Sequence, residues 1–284
     1  MEKIKLIISM VIVGTIGLFT TAVALPSSAI ACARALLGSV FILFVMLVLR
    51  KRPDPSAIKR NLPVLLVSGC ALGFNWVLLF EAYKHTTVAV ATLCYYMAPI
   101  FVILVSPLVL RERLTLQKLC CTAGAVVGAV LISGVFSEGG ASVKGIAFGL
   151  SAAVLYASIV VLNKKLVDIE GLDRTLCQLG ISAVVMTVYT LLTENVSAME
   201  FDLRTVIILL ILGIVHTGVV YLLFFSAIGR LPAQTSSVLS YVDPVTAVIC
   251  SAVFLSQPMD VFRIIGTVLI LGCSLAGELI PAEK

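Results

Sequence analysis

Ten apolar runs of about twenty residues leave this chain few folds to choose from. They occupy residues 4–25, 29–50, 61–83, 87–110, 116–136, 143–163, 174–193, 204–227, 233–255 and 260–280. A helix rises 1.5 Å per residue, so about 20 residues cross the roughly 30 Å hydrocarbon core of a bilayer. No water is available there, so every backbone donor must be satisfied within the span, and that selects helices. With 60% hydrophobic and only 12% charged residues, at a mean hydropathy of +1.15, the chain departs far from soluble globular composition. The expectation is an all-α polytopic membrane protein with ten transmembrane helices.

The charges give that bundle an orientation. With the N-terminus cytoplasmic, fifteen Lys and Arg residues fall on the cytoplasmic side, from Lys3 and Lys5 through Arg50–Arg60 to Lys284. Only Lys84, Lys144, Arg204 and Arg263 fall on the other. This is a positive-inside pattern with both termini cytoplasmic, as an even number of spans requires. The net charge of +5 lies between the apolar runs and forms no nucleic-acid patch. The first run follows Lys3-Ile4-Lys5 and contains Ala22-Val23-Ala24, features shared with signal peptides. Its length and its counterpart at the start of the second half favour a retained helix. All eight cysteines lie in apolar runs without a C-x-x-C pair and read as packing residues.

The chain also repeats itself. A shift of 145 residues pairs Trp76 with Tyr221, Phe80 with Phe225, Ala82 with Ala227, Tyr96 with Tyr241 and Pro99 with Pro244. It also pairs Ser106 with Ser251, Leu110 with Leu255 and Thr122 with Thr267. The halves, residues 4–136 and 143–280, hold five spans each. An odd number places them in opposite orientation, the inverted-repeat plan of secondary transporters, whose sites lie at the repeat interface near the midplane.

Within this frame the polar exceptions are the candidate functional groups. Asp243 stands near the middle of the ninth run, followed by Pro244. A carboxylate at the bilayer centre costs roughly 2.5–3.5 kcal/mol on insertion scales, so it faces a protein interior or a wet cavity. Pro244 removes a backbone donor and marks a helix break, as Pro99 does in the fourth run. Ser236, Ser240 and Asp243 share one helical face. Asp243 reads as a counter-ion for a substrate amine or as a proton-coupling carboxylate; the bland alternative is an acid bonded to backbone freed at the kink. His216, mid-way along the eighth run, reads as a packing residue or as a relay partner for Asp243, which lies at similar depth. Tyr95 and Tyr96, just before Pro99, read as stacking or gating aromatics, or as packing beside the kink. Asn75, Tyr156 and Asn163 are further polar groups in need of internal partners. Arg34, inside the second run, reads as a salt-bridge partner closing the outer side with Glu81, as a carboxylate receptor, or as a snorkelling cation. Gly124-x-x-x-Gly128 permits close helix approach, within the chain or in a weak homodimer.

Two five-helix halves, a Tyr96-x-x-Pro99 helix followed by Arg111-Glu112, and the Phe80-x-Ala82 approach resemble the EamA family of the drug/metabolite transporter superfamily, over nearly the whole chain. The resemblance implies a ten-helix fold, a bacterial inner-membrane location and movement of small metabolites, often amino acids. It also implies a cavity lined from the third, fourth, sixth, eighth and ninth helices. The matching positions here are Asn75, Tyr95, Tyr96, Tyr156, His216, Tyr221 and Asp243. One departure is Gln257, which stands opposite Glu112 where members often carry a second Glu.

The function expected is a secondary transporter of small metabolites, plausibly amino acids, working by alternating access with export favoured. The alternative is a polytopic membrane enzyme or a non-transport membrane subunit. An enzyme would need paired intramembrane acids, a serine–histidine pair or a metal cluster, and no H-E-x-x-H motif occurs. No cofactor or metal is expected. The expected partners are a small-molecule substrate, the bilayer and a proton or other ion, with no nucleic acid and a monomer or weak homodimer.

Overall fold

The computed structural model describes residues 1–109, 116–132, 142–228, 239–240, 242–257 and 259–279. Among these every regular element is helical: α1 (Glu2–Gly14), α2 (Ile16–Thr21), α3 (Ser27–Val48), α4 (Pro55–His85), α5 (Val88–Tyr95), α6 (Ala98–Val109) and α7 (Leu116–Ile132). Then follow α8 (Val143–Asn163), α9 (Gly171–Thr193), α10 (Leu203–Leu210), a π-helical segment (Ile211–Val219), α11 (Val220–Ile228), α12 (Val242–Phe254) and α13 (Val261–Leu279). Six helices are long and apolar enough to cross a membrane: Glu2–Thr21, Ser27–Val48, Pro55–His85, Val143–Asn163, Gly171–Thr193 and Leu203–Phe224. Shorter apolar helices run over Val88–Val102, Leu119–Gly128, Val242–Phe254 and Ile264–Cys273.

The fourth run is short for a physical reason. Pro99 has no N–H to give the carbonyl of Tyr95, so the α-helix stops at Tyr95 and restarts at Ala98. Tyr96 and Met97 form the turn between them. Pro99 thus sits at the second position of α6, where the missing donor costs least.

The exterior is apolar, as suits a protein dissolved in lipid, and several polar groups are buried among the apolar core. Val40, Phe44 and Leu47 of α3, Leu192 of α9 and Val253 and Phe254 of α12 are exposed. Arg34, Asn75, Gln178, Ser182, His216, Thr217 and Ser251 are buried. The buried polar groups find partners in neighbouring helices. Gln178 Nε2 donates to Ser68 Oγ at 2.7 Å and to Asn163 Oδ1 at 2.8 Å, joining α9 to α4 and α8. The largest apolar cluster gathers Trp76, Phe80, Leu179, Met186 and Leu212 at the junction of α3, α4, α9 and the π segment.

Helix packing is interleaved. α8 lies against α4, α5 and α6, while α1 lies against α11 and α12. α3 pairs with α9 and the π segment, and α7 pairs with α13. Gly124 and Gly128 make that last contact close: a Cβ there would meet Cys273 Sγ at 2.5 Å and the Gly266 carbonyl at 2.8 Å, within the same chain.

Polar contacts between connections fall into two groups at opposite ends of the bundle. At one end Lys51 pairs with Glu170 (2.7 Å) and Arg60 with Asp168 (3.4 Å), and Asn61 exchanges two hydrogen bonds with the backbone of Val167. At the other, Glu81 accepts from Ser27 Oγ (2.6 Å), Glu194 from Ser28 Oγ (2.9 Å), and Gln257 Oε1 from the Val88 N–H (3.0 Å).

Candidate functional site

The site is built where the fourth and ninth runs meet. Tyr96, in the turn after α5, donates its hydroxyl to Asp243 Oδ2 at 2.5 Å, within the range of a charge-assisted O–H···O⁻ bond. Asp243 stands in the first turn of α12 and is half-buried. The same two elements are tied nearer the bundle end that carries Glu81 by Ser251, whose Oγ accepts the Ala89 N–H at 3.3 Å and donates to Gln257 Oε1. Ser256 adopts φ 50°, a left-handed turn that brings Gln257 back against the start of α5.

Tyrosines extend from this bond into the bundle. The Tyr95 ring meets Tyr96 edge-on (centroids 6.3 Å apart) and Tyr156 of α8 at 5.3 Å. Tyr95 Oη donates to Asn75 Oδ1 at 3.4 Å, and Asn75 Nδ2 donates to the Ala152 carbonyl at 2.6 Å. Asn75, Tyr95, Tyr96, Tyr156 and Asp243 therefore form one connected set. Asn75 is fully enclosed and spends its amide on α8, so it positions Tyr95 instead of presenting a free donor. Tyr221 lies within electrostatic range of both Tyr95 and Arg34.

His216 is held elsewhere. Its Nε2 is 3.0 Å from Thr15 Oγ1, and its ring meets Phe19 edge-on at 4.9 Å. The adjacent Gly14 abuts α12, where a Cβ would lie 2.6 Å from the Asp243 carbonyl oxygen. The first span thus passes between His216 and Asp243 and takes each on a neighbouring residue, so the expected His216–Asp243 pair is not formed. Thr15 is the participant that sequence reasoning missed, since a threonine in an apolar run carries no signal until its neighbours are known.

The Arg34–Glu81 bridge, one of three alternatives for Arg34, is not formed either. Glu81 stands at the bundle end with Ser27, Lys84 (3.2 Å) and His85 (3.7 Å). Arg34 neither reaches it nor snorkels: its guanidinium lies over the Trp76 ring at 4.1 Å, and its Nε donates to Thr217 Oγ1 at 3.2 Å. Pro99 opens α6 after the Tyr96–Met97 break, and Pro244 is buried at the third position of α12. Ser236, Tyr241, Arg111 and Glu112 lie outside the described residues. No group of three or more His, Cys, Asp and Glu suited to a metal occurs among the described residues.

The EamA-like transporter family model matches residues 3–134 and again residues 143–276. The chain belongs to that family. An uncharacterized transporter of Bacillus subtilis (strain 168), YxxF, is 30% identical over 272 residues, covering 94% of this chain and 86% of the relative. The pseudopaline exporter CntI of Pseudomonas aeruginosa is 31% identical over 142 residues, half of this chain and 48% of that one. A solved crystal structure with 19% identity superposes with a TM-score of 0.69 over 97% of this chain and 96% of that one, which shows a shared fold. With its apolar exterior and membrane-length helices, the EamA protein described here is an integral membrane transporter.

Proposed function

We propose that this protein is a secondary transporter that moves small metabolites, amino acids foremost, across the cytoplasmic membrane by alternating access, with export the favoured direction. Its frame is ten spans in two inverted five-helix repeats, residues 4–136 and 143–280, with both termini cytoplasmic. The six long and four shorter apolar helices support a count of ten. Two separate family matches support the repeat. So does packing: Gly73 abuts Met186, and Gly218 abuts Phe41, which are the same contact with each partner moved by 145 residues. The first span of each half lies against the third and fourth spans of the other. The relatives are named transporters, one of them an exporter, and no enzymatic step is assigned to this chain.

The observation that carries the reading is the Tyr96–Asp243 bond. It joins the fourth span of one half to the ninth of the other, at the interface that alternating access must open. A substrate ammonium competes with the Tyr96 hydroxyl for this carboxylate, and protonation of the carboxylate abolishes its attraction for the ammonium. One carboxylate occupied in turn by a proton and by the substrate amine exchanges protons inward for substrate outward.

Proteoliposomes loaded with the purified protein and given pooled labelled amino acids and small metabolites, with and without an imposed pH gradient, test this. Uptake follows the gradient and falls to background in Asp243→Asn, while the variant still inserts. Full activity in Asp243→Asn overturns the role of Asp243, and gradient-independent uptake overturns proton coupling.

A further inference from the structure

We propose that Arg34 is the docking point for a carboxylate of the transported molecule, with Trp76 and Thr217 framing its guanidinium. This rests on the reading of Asp243 as the amine-facing pole and supplies the opposite one.

Arg34 is only 5% exposed, about 10 Å along α3 from its start at 1.5 Å per residue. A guanidinium carries five N–H donors in a planar fork. One of them, on Nε, is spent on Thr217 Oγ1. The Thr217 hydroxyl proton goes to the Leu212 carbonyl at 2.9 Å, so a lone pair of that oxygen is turned toward Nε. Trp76 covers one face of the guanidinium at 4.1 Å, and Phe80 stands 5.5 Å away. The side chain is thus fixed by its Nε edge and one face. The two Nη groups remain, and no acidic side chain pairs with them among the described residues.

Lys51 pairs with Glu170 and Arg60 with Asp168 at the exposed bundle end, whereas no acid pairs with this desolvated cation among the described residues. A buried cation is tolerated when an anion completes it, and a carboxylate of the transported molecule would do so here. The free Nη edge matches the two oxygens of a carboxylate. A single cation calls for a single negative charge. The phenols of Tyr83, Tyr95 and Tyr221 and the imidazole of His216 lie within electrostatic range of Arg34. Tyr83 and Tyr95 are also within range of Asp243. Two tyrosines therefore lie near both a cation and an anion that do not pair with each other. A small zwitterion fits that arrangement, its carboxylate on Arg34 and its ammonium on Asp243.

Trp76 is the only tryptophan in the chain, so its emission reports on the guanidinium stacked against it. Purified protein in nanodiscs would be titrated at constant ionic strength with acetate, glycine, acetamide, methylamine and chloride. The expected result is a saturable change with acetate and glycine and none with the other three. Arg34→Gln weakens acetate about a hundredfold, as loss of two charge-assisted bonds implies, and Thr217→Val, which removes the Nε anchor together with the bond to the Leu212 carbonyl, about tenfold. An equal response to acetamide, a matching response to chloride, or an unchanged acetate affinity in Arg34→Gln overturns the proposal. If Arg34→Gln does not fold, the wild-type contrast of acetate with acetamide decides alone. An intact acetate response with no proteoliposome uptake of any pool would sink the transport reading and leave this subsite standing. Uptake that needs Asp243 but is indifferent to Arg34→Gln would do the reverse.

Discussion

The third and eighth spans occupy equivalent places 145 residues apart, yet they are wound differently. The third is α4, one α-helix from Pro55 to His85. The eighth is α-helical to Leu210, π-helical from Ile211 to Val219 and α-helical again from Val220. Both seat a glycine against the partner half, Gly73 on Met186 and Gly218 on Phe41. Both carry an aromatic three residues later, Trp76 and Tyr221. The polar groups diverge. Those of α4 are consumed by structure: Ser68 accepts from Gln178, and Asn75 holds the Ala152 carbonyl. Those of the π segment reach to the second and first spans, Thr217 holding Arg34 and His216 meeting Thr15. A π segment widens the turn by a residue and re-aims side chains, and such segments gather at functional sites. The repeat has kept one copy as a regular α-helix and rewound the other.

The largest expected effect separates the two glycines. An added Cβ at Gly218 would meet Phe41 Cδ1 at 2.3 Å and Cγ at 2.6 Å, ring atoms with little freedom to yield. At Gly73 it would meet Met186 Cγ at 2.8 Å, on a side chain that adapts readily. Gly218→Ala should destabilise by about 1–3 kcal/mol, in the range of core overpacking, and Gly73→Ala by clearly less. Thermal unfolding of the two variants in the same detergent measures this. Equal losses would mean that the π winding imposes no tighter fit than α4 does.

A second contrast sets Asn75 against His216. Asn75→Ala leaves the Ala152 carbonyl without its donor and should cost about 1–3 kcal/mol of stability. His216→Phe keeps a ring against Phe19 and removes the link to Thr15 and the longer contact with the Ile211 carbonyl, so it should unfold nearly as the parent does while transport slows about tenfold, on the order of one lost hydrogen bond in the working cycle. If His216→Phe is fully active, the eighth span is as structural as the third.

Much of this frame was legible in the chain. Runs of twenty apolar residues admit few structures, and the shift that aligns Tyr96 with Tyr241 also aligns Gly73 with Gly218, a contact the fold makes twice. Asp243 stood out because a carboxylate in an apolar run is costly wherever it lies. What stayed hidden depends on azimuth and not on depth. Arg34 and Glu81 suggested a pair by charge, but Arg34 points at Trp76 and Thr217 while Glu81 caps the bundle end among Ser27, Lys84 and His85. His216 and Asp243 share a depth, but the first span passes between them. Nothing in GIVHTGVV announces a π winding, because its extra residue per turn is settled by packing against α3, where Leu37 and Phe41 press on Gly213 and Gly218.

The smallest expected effect lies at the caps, where the two spans are most alike. Asp54 accepts the N–H groups of Ser56 (2.9 Å) and Ala57 (3.2 Å) at the start of α4, and Asp202 accepts that of Thr205 (2.8 Å) at the start of α10. The Ser56 hydroxyl, then the backbone donors, hold the Asp54 carboxyl below the usual range; the Thr205 hydroxyl and N–H do the same for Asp202. A carboxyl depressed in the folded state contributes stability that is present above its unfolded value, about 3.9, and is lost as pH falls through the lower folded value. Asp54→Ala and Asp202→Ala should therefore each give a small loss of thermal stability near neutral pH, and each loss should fade as the pH is taken below about 4. The two losses should match, since both carboxylates are solvent-exposed and cap the first turn alone. A larger loss in Asp202→Ala would show that the π winding depends on how the helix before it is started, carrying the difference between the two spans from the middle of the membrane out to its edge.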